Sequence, residues 1–140
     1  MRFERSAGAI IFRIEKDKVL YLLLRYRTYW GFVKGIIEKN ESIEETVKRE
    51  AKEETGLSDL IFVKGFEEKI GWFFMLKGEL VRKEAVFLLA QTKSKKIKLS
   101  FEHKSYKWCS YDEALKLQKI KNNRVLFEKA HNFLQKYHAK

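Results

Sequence analysis

The sequence contains no proline and a single cysteine. The lack of proline excludes proline-rich linkers. The lone thiol, Cys109, cannot form an internal disulfide or a thiolate metal cluster, which favours a reducing compartment. The chain also lacks an apolar run near the roughly 18 residues that a membrane helix needs, and its first residues lack the apolar core of a signal peptide. We therefore expect a cytoplasmic protein without a membrane partner.

The composition that is present suits a folded domain. The chain has 140 residues, of which 45% are apolar and 35% are charged. These proportions exclude wholesale disorder, and the length corresponds to about one domain. We expect a single domain over residues 1–140, acting as a monomer.

The chain is strongly basic. Its 30 lysine and arginine residues exceed its 19 acidic residues, which gives a formal net charge of +11. Such a charge attracts polyanions, including nucleic acids, nucleotides and acidic membrane surfaces. A lysine-rich surface that only confers solubility explains the charge equally well.

Hydrophobic periodicity predicts a mixture of strands and helices without regular alternation. The predicted strands cover residues 6–13, 19–25, 60–70, 81–91 and 106–109. The predicted helices cover residues 42–55, 110–120 and 124–137. Each of the first two helices begins with a capping box, and Gly56 suits the end of the first. The pattern of 71–78 is ambiguous. We expect an α+β or layered αβα domain built on a mixed sheet.

Three acidic residues of the first predicted helix lie on or beside its apolar side, where burial is expected. Its apolar stripe consists of Ile43, Val47 and Ala51. At 100° per residue, Glu50 and Glu54 fall within about 60° of Val47, and Glu53 lies beside Glu50. Carboxylates at positions where burial is expected repel one another and lose hydration.

These carboxylates need compensating charge. Arg49 can pair with Glu45 or Glu53 at four-residue spacing, but one arginine is too little for three inward acids. The natural counter-ion for clustered oxygen ligands is a hard divalent cation, Mg²⁺ or Mn²⁺. The alternative is a solvated charged face without a metal.

The same segment carries a spaced signature of glycine, glutamate, arginine and aliphatic positions. Those positions are Gly35, Glu41, Arg49, Glu50, Ala51, Glu53, Glu54, Gly56 and Leu57. The signature resembles the Nudix box. The resemblance implies an α/β/α sandwich around a mixed β-sheet, a loop–helix–loop that binds Mg²⁺, and hydrolysis of nucleoside diphosphates linked to another group.

Three stretches outside the box resemble the asymmetric diadenosine tetraphosphate hydrolase branch of that family. They are SAGAIIFR with YLLLRYRTYWGFVKG, then GFEEKIGW, and finally LSFEHKSYKWCSYDEALKL with HNFLQK. The resemblance implies a further carboxylate near the metal at Glu102, followed by His103. It also implies an adenine stacked by Phe87 and Phe133, and a phosphate contact at Lys83. The chain departs from this branch at 30–35, WGFVKG, which has no proline, and at Ile36, Lys39 and Asn40.

The chemistry implied is attack of water on a phosphorus of a polyphosphate chain. The expected metal ligands are Glu50, Glu53, Glu54 and Glu102, and the expected catalytic residues are Arg49, Glu53, Glu54 and Glu102. One acid must accept the proton of the water, and Glu53 and Glu102 both qualify. Arg49 is expected to orient a carboxylate.

The expected substrate-binding residues are Lys34, Gly35, Lys83, Phe87, Phe133 and His103. Gly35 suits a backbone turn beside the phosphates, and either lysine could instead be solvated. Phe87 and Phe133 also fit the apolar pattern of core residues, in which case Tyr29 and Trp30 could line the pocket.

The sequence leaves several functions open. The first is hydrolysis of diadenosine tetraphosphate to ATP and AMP, as the resemblance implies. The +11 charge favours a pyrophosphohydrolase of RNA 5′ ends as an alternative. Two further alternatives are hydrolysis of another Nudix nucleotide substrate and a non-catalytic module that binds nucleotides or RNA. The intact acids of the box argue against a non-catalytic module.

Overall fold

The computed structural model describes residues 1–138. The strands are β1 (Arg2–Glu15), β2 (Lys18–Arg25), β3 (Trp30–Gly31), β4 (Val33–Ile36), β5 (Ile61–Phe62), β6 (Glu68–Leu76), β7 (Glu79–Gln91) and β8 (Tyr106–Cys109). The helices are α1 (Ile43–Thr55), α2 (Tyr111–Leu117) and α3 (Lys121–His138).

All eight strands form one mixed sheet around β1 and β7. These two strands run parallel, from Arg2 opposite Val81 to Phe12 opposite Gln91. The antiparallel partners of β1 are β2 at its C-terminal end and β4 in its middle, over residues 6–9. On the other side, β7 forms an antiparallel hairpin with β6 and a short pairing with β5.

Helices cover both faces of the sheet. One hydrophobic cluster joins α1 to one face, through residues such as Val47, Ala51 and Ala9. A second, more aromatic cluster joins α2 and α3 to the opposite face, through residues such as Phe127 and Ala114. This arrangement confirms the predicted α+β, three-layered fold. No helix within residues 1–138 has the length and apolar character to cross a membrane.

The helix ends follow the sequence signals. The side chain of Ser42 accepts a hydrogen bond from the backbone N–H of Glu45, and the Glu45 carboxylate accepts one from the Ser42 backbone. Gly56 ends α1 in the left-handed region, with φ of 77°. Ser110 and Glu113 form the same reciprocal pair at the start of α2. The predicted caps are therefore confirmed.

The region 60–78 differs from the prediction. The predicted strand over 60–70 is wrong in its middle, because β5 covers only Ile61–Phe62 and the next strand begins at Glu68. The ambiguous stretch forms the rest of β6 and the turn at Lys77 and Gly78, which both have positive φ. Side chains on β6 alternate between partly buried and exposed. Because its apolar residues lie on both faces of the strand, their pattern does not indicate a strand with one buried face.

Candidate active site

The box helix places its glutamates at different depths. Val47 and Ala51 are fully buried against the sheet, which fixes the rotation of α1. Glu54 follows on the buried side and is only 3% exposed. Glu50 is half-buried, whereas the side chain of Glu53 is 58% exposed. The expected inward position is therefore confirmed most fully for Glu54.

Gly35 lies directly against the Glu50 carboxylate. It belongs to β4, where it pairs with Ala7 of β1. A Cβ atom at this position would lie 2.0 Å from Cδ of Glu50 and 2.1 Å from its Oε1. The glycine is thus required by the space that the carboxylate occupies, and the expected backbone turn is replaced by a strand.

Arg49 holds the acidic residues around the start of α1. Its Nε donates to Oε2 of Glu41 at 2.7 Å, and its Nη1 donates to Oε1 of Glu50 at 2.8 Å. A weaker contact of 3.4 Å reaches Glu53. The guanidinium also donates to the carbonyl of Ile36. Arg49 therefore holds carboxylates in place in this conformation, and its role in catalysis stays a prediction.

Sequence reasoning assigned no role to Glu41, which the structure makes the main partner of Arg49. Its two carboxylate oxygens accept both Nε and Nη2 of the guanidinium, at 2.7 and 3.0 Å. Thr46 Oγ1 and the backbone N–H of Glu38 also donate to it, both at 2.9 Å. Arg49 above all, and then the Glu38 amide, lower the pKa of Glu41 to about 2. The sequence feature that marks Glu41 is its fixed position in the box signature.

Glu54 forms a buried pair with His103. Nε2 of the imidazole lies 3.1 Å from Oε1 of Glu54, and both side chains are almost fully buried. Burial first, and then the nearby carboxylates of Glu50 and Glu102, raise the pKa of Glu54 far above its usual value. The histidine was expected to contact phosphate, but here it is turned inward and positions a box glutamate.

The loop before β8 brings Glu102 to the same region. Glu102 is exposed, and its charge contributes to the raised pKa values of both Glu54 and Tyr26. Tyr26 packs edge-on against His103 at 4.7 Å and donates from its hydroxyl to the carbonyl of Phe32. The structure therefore brings the fourth predicted acid close to the box, although it lies 48 residues beyond Glu54 in sequence.

The donor set fits a hard divalent cation. Glu54 Oε2 is buried without a hydrogen-bond partner, beside the negative charges of Glu50 and Glu102. An unpaired buried carboxylate oxygen among other carboxylates requires either a proton or a cation. Within residues 1–138, no three acidic, histidine or cysteine side chains already converge as ligands. Binding a metal through these groups therefore requires rotation of their side chains.

A pocket of about 400 Å³ lies beyond β4 on the opposite face of the sheet. It is lined by Tyr29, Lys34, Ile70, Trp72, Ile120, Asn122 and Asn123. Lys34 Nζ lies 5.3 Å from the centre of the Trp72 ring. Burial first, and then the charge of Lys83, lower the pKa of Lys34. The pocket thus combines aromatic walls with a cation, which is what a nucleotide requires.

The two phenylalanines predicted to stack adenine lie elsewhere. Phe87 is only 2% exposed and packs edge-on against Phe32, with 6.3 Å between ring centres. Phe133 lies on α3 against Phe66. In this conformation Phe87 has no exposed ring face on which a base could stack. It packs in the core, which was the alternative interpretation of its place in the sequence. Of the other two aromatics considered, Tyr29 lines the pocket, and Trp30 packs against the aromatic core.

Sequence reasoning assigned no role to five of the seven pocket residues, namely Ile70, Trp72, Ile120, Asn122 and Asn123. Trp72 lies in the stretch whose pattern was ambiguous, and it pairs across the hairpin with Lys83. Lys83 therefore projects on the same face as Trp72, and it also lies 3.6 Å from Glu4. Asn122 and Asn123 lie in the first turn of α3, where neither periodicity nor a motif distinguishes them.

The sequence profile of the NUDIX domain matches residues 2–130. The chain belongs to the Nudix family. It is 32% identical to the bis(5′-nucleosyl)-tetraphosphatase [asymmetrical] of Rattus norvegicus over 143 aligned residues, which cover 93% of this chain and 95% of that protein. The crystal structure of a C. elegans Ap4A hydrolase binary complex superposes with a TM-score of 0.82 at 28% identity, covering 94% of this chain and 98% of that one.

A relative with a different activity matches a shorter segment. The 8-oxo-dGTP diphosphatase of Buchnera aphidicola is 34% identical over 84 residues, which cover 51% of this chain and 65% of that protein. As a Nudix hydrolase, this protein belongs to enzymes that act on nucleotides and generally use divalent metal ions.

Proposed function

We propose that this Nudix hydrolase cleaves diadenosine tetraphosphate into ATP and AMP, with Mg²⁺ as cofactor and Mn²⁺ as a substitute. Residues 1–140 act as one catalytic domain, and water attacks a phosphorus of the polyphosphate chain. The similarity to asymmetrical tetraphosphatases along 93% of the chain supports this substrate. The proposal rests on one observation. The pocket that contains Lys34 and Trp72, called the base pocket below, lies next to the glutamates of the box.

That adjacency depends on two neighbouring residues of β4. The side chain of Lys34 lines the pocket, and the next residue, Gly35, lies against the Glu50 carboxylate. Consecutive residues of a strand face opposite sides of the sheet, so one short strand contacts both the pocket and the acids. Within residues 1–138, β4 pairs only with β1 and is an edge strand, so the phosphate chain of a base held in the pocket is proposed to pass around this edge to the carboxylates.

Glu50, Glu53, Glu54 and Glu102 are the proposed metal ligands. When bound, the cation neutralises phosphate charge and lowers the pKa of the attacking water. Arg49 keeps Glu50 and Glu53 near each other, and His103 fixes the buried oxygen of Glu54. These two positioning residues limit how far the ligands rotate.

The base that accepts the proton of the water is one of the exposed acids, Glu53 or Glu102. Both are accessible to solvent, whereas Glu54 is buried on His103. The acid that takes this role keeps one carboxylate oxygen off the metal and within hydrogen-bond reach of the water. Lys34 and Lys83 bind the phosphates, and Tyr29 and Trp72 hold the adenine.

The test is turnover of purified protein with diadenosine tetraphosphate and Mg²⁺, with products separated by ion-exchange chromatography. We expect equal amounts of ATP and AMP, no turnover after chelation with EDTA, and recovery on adding Mg²⁺. Formation of ADP alone, or no cleavage at matched salt, would contradict the proposal.

A second candidate is removal of pyrophosphate from RNA 5′ ends, which one further observation favours. Arg25 and Lys107 lie 5.7 and 5.8 Å from the centre of the Trp30 ring, and neither cation has a carboxylate partner within residues 1–138. Unpaired cations around an exposed aromatic edge suit a nucleic-acid backbone.

Comparing turnover of the dinucleotide, 5′-triphosphorylated RNA and 8-oxo-dGTP at equal ionic strength separates these functions. The RNA function predicts that the double variant Arg25→Ala, Lys107→Ala loses RNA turnover and keeps dinucleotide turnover. Faster turnover of RNA than of the dinucleotide by the unmodified protein would replace the first proposal with the second.

A further inference from the structure

The walls of the base pocket do not distinguish one base from another. Trp72 and Tyr29 contribute aromatic surface, and Ile70 and Ile120 contribute aliphatic surface. Stacking tolerates any base because every base has a π face. Selection among bases therefore depends on the polar groups that meet the edge of the ring.

Two asparagines are the polar groups suited to that task. Lys34 only donates hydrogen bonds, and its position over Trp72 and near Lys83 suits phosphate. Each asparagine amide carries two donors and an acceptor. Within residues 1–138, the side chains of Asn122 and Asn123 have no hydrogen-bond or ionic partner. Their hydrogen-bonding groups are therefore available to a ligand.

The backbone that carries them is firmly held. The carbonyl of Ile120 accepts from the N–H of Arg124 at 2.9 Å, which fixes the first turn of α3 beside the pocket. One turn further along, Leu126 and Phe127 are at most 1% exposed and anchor the helix on the sheet. The asparagines are thus presented at the pocket from a rigid element, which specific recognition requires.

We propose that Asn122 and Asn123 select adenine by hydrogen bonding to the edge of the base, an inference that rests on the proposed function for its substrate. Adenine presents the N6 donor beside the N7 acceptor, and an amide matches both. Guanine presents two acceptors, O6 and N7, so an amide oxygen facing it is left unpaired.

The test compares kcat/KM for diadenosine and diguanosine tetraphosphate. We expect the unmodified protein to prefer the adenine substrate by about tenfold, the lower part of the range for one bidentate contact. The double variant Asn122→Ala, Asn123→Ala brings this ratio close to one. An unchanged ratio in the double alanine variant overturns the proposal.

The controls separate this proposal from the function on which it rests. Asn132→Ala changes an exposed asparagine of the same helix in a different groove and leaves the ratio unchanged. Thermal melting verifies that each variant is folded. Calorimetry with AMP and GMP tests the pocket without turnover, and equal affinity of the unmodified protein for both overturns the selection of adenine. Absence of dinucleotide cleavage, with preferential AMP binding, instead contradicts only the proposed reaction.

Discussion

The two faces of the sheet are built from different side chains and border different parts of the proposed site. The face under α1 includes the small residues Ala7, Ala9 and Ala90. The face under α3 includes the large aromatic residues Phe12, Tyr21 and Phe87. Small residues let α1 approach closely, so its carboxylates contact the backbone of β4. On the aromatic face, the start of α3 and strand β6 line the pocket.

The largest effect is expected on the α1 face, at the box glutamates. We expect Glu54→Gln and Glu53→Gln to lower turnover by about 10²–10⁴-fold, the range for loss of a catalytic acid or base, because each removes a charge proposed to act on metal or water. Steady-state kinetics with Mg²⁺ measures this, and circular dichroism checks the fold. Unchanged hydrolysis by both variants would remove the box from the mechanism. Glu44→Gln, an exposed change on the same helix, serves as the control.

The close approach of α1 predicts the next effect, at Gly35. Its substitution by alanine places a methyl group where the Glu50 carboxylate lies, so the carboxylate must move. A displacement of about 1 Å can cost on the order of 100-fold in rate, and we expect a loss of that size in kcat. Gly71→Ala is the matched control, because its added methyl would have only an ordinary 3.4 Å contact with the Lys83 carbonyl. Equal activity of both variants would contradict the steric argument.

On the aromatic face, two substitutions distinguish a ligand contact from core packing. We expect Trp72→Ala to raise KM by about tenfold with a small change in kcat, since base stacking contributes about 1–3 kcal/mol. Phe87→Leu should leave KM unchanged and lower stability by about 1 kcal/mol, because its ring is buried. Steady-state kinetics and urea unfolding measure both. The reverse pattern would restore Phe87 as the stacking residue.

The smallest expected effect concerns the pH dependence of stability at the start of α1. Arg49 lowers the pKa of Glu41 to about 2, so ionised Glu41 stabilises the folded state above its usual pKa near 4.5. This contribution is lost as the pH falls from about 4.5 towards 2. We expect Glu41→Gln to melt at lower temperature than the unmodified protein at pH 7, with the difference shrinking over that interval. A difference independent of pH would contradict the linkage, and Glu44→Gln is again the control.

Much of the fold and of the acidic centre was predictable because those features leave local signals. The caps at Ser42 and Ser110 are short-range hydrogen bonds that fixed spacings encode. The inward turn of Glu54 follows from helical periodicity alone. The association of Glu102 with the box depended instead on the family resemblance, since no local pattern relates the two.

What escaped prediction depends on contacts between distant segments. His103 contacts Glu54 because the loop before β8 packs its imidazole against the ring of Tyr26. Phe87 and Trp72 are both aromatic residues in strands, but Phe87 lies in the central strand β7 and is core, whereas Trp72 lies in β6 and lines the pocket. Asn122 and Asn123 are ordinary polar residues until α2 and α3 bring them beside that wall.

The pairing of β4 with β1 makes the site sensitive to loop length. Lys34 lies opposite Gly8 and Gly35 opposite Ala7, and a Cβ atom at Gly8 would lie 2.3 Å from the Val33 carbonyl. A slip of one residue would turn the lysine towards Glu50 and leave the base pocket without its cation. Insertions or deletions in the turn between β4 and α1 are therefore tolerated only if the pairing of β4 with β1 is preserved. A new substrate specificity would accordingly evolve by replacement of side chains around a backbone of fixed length.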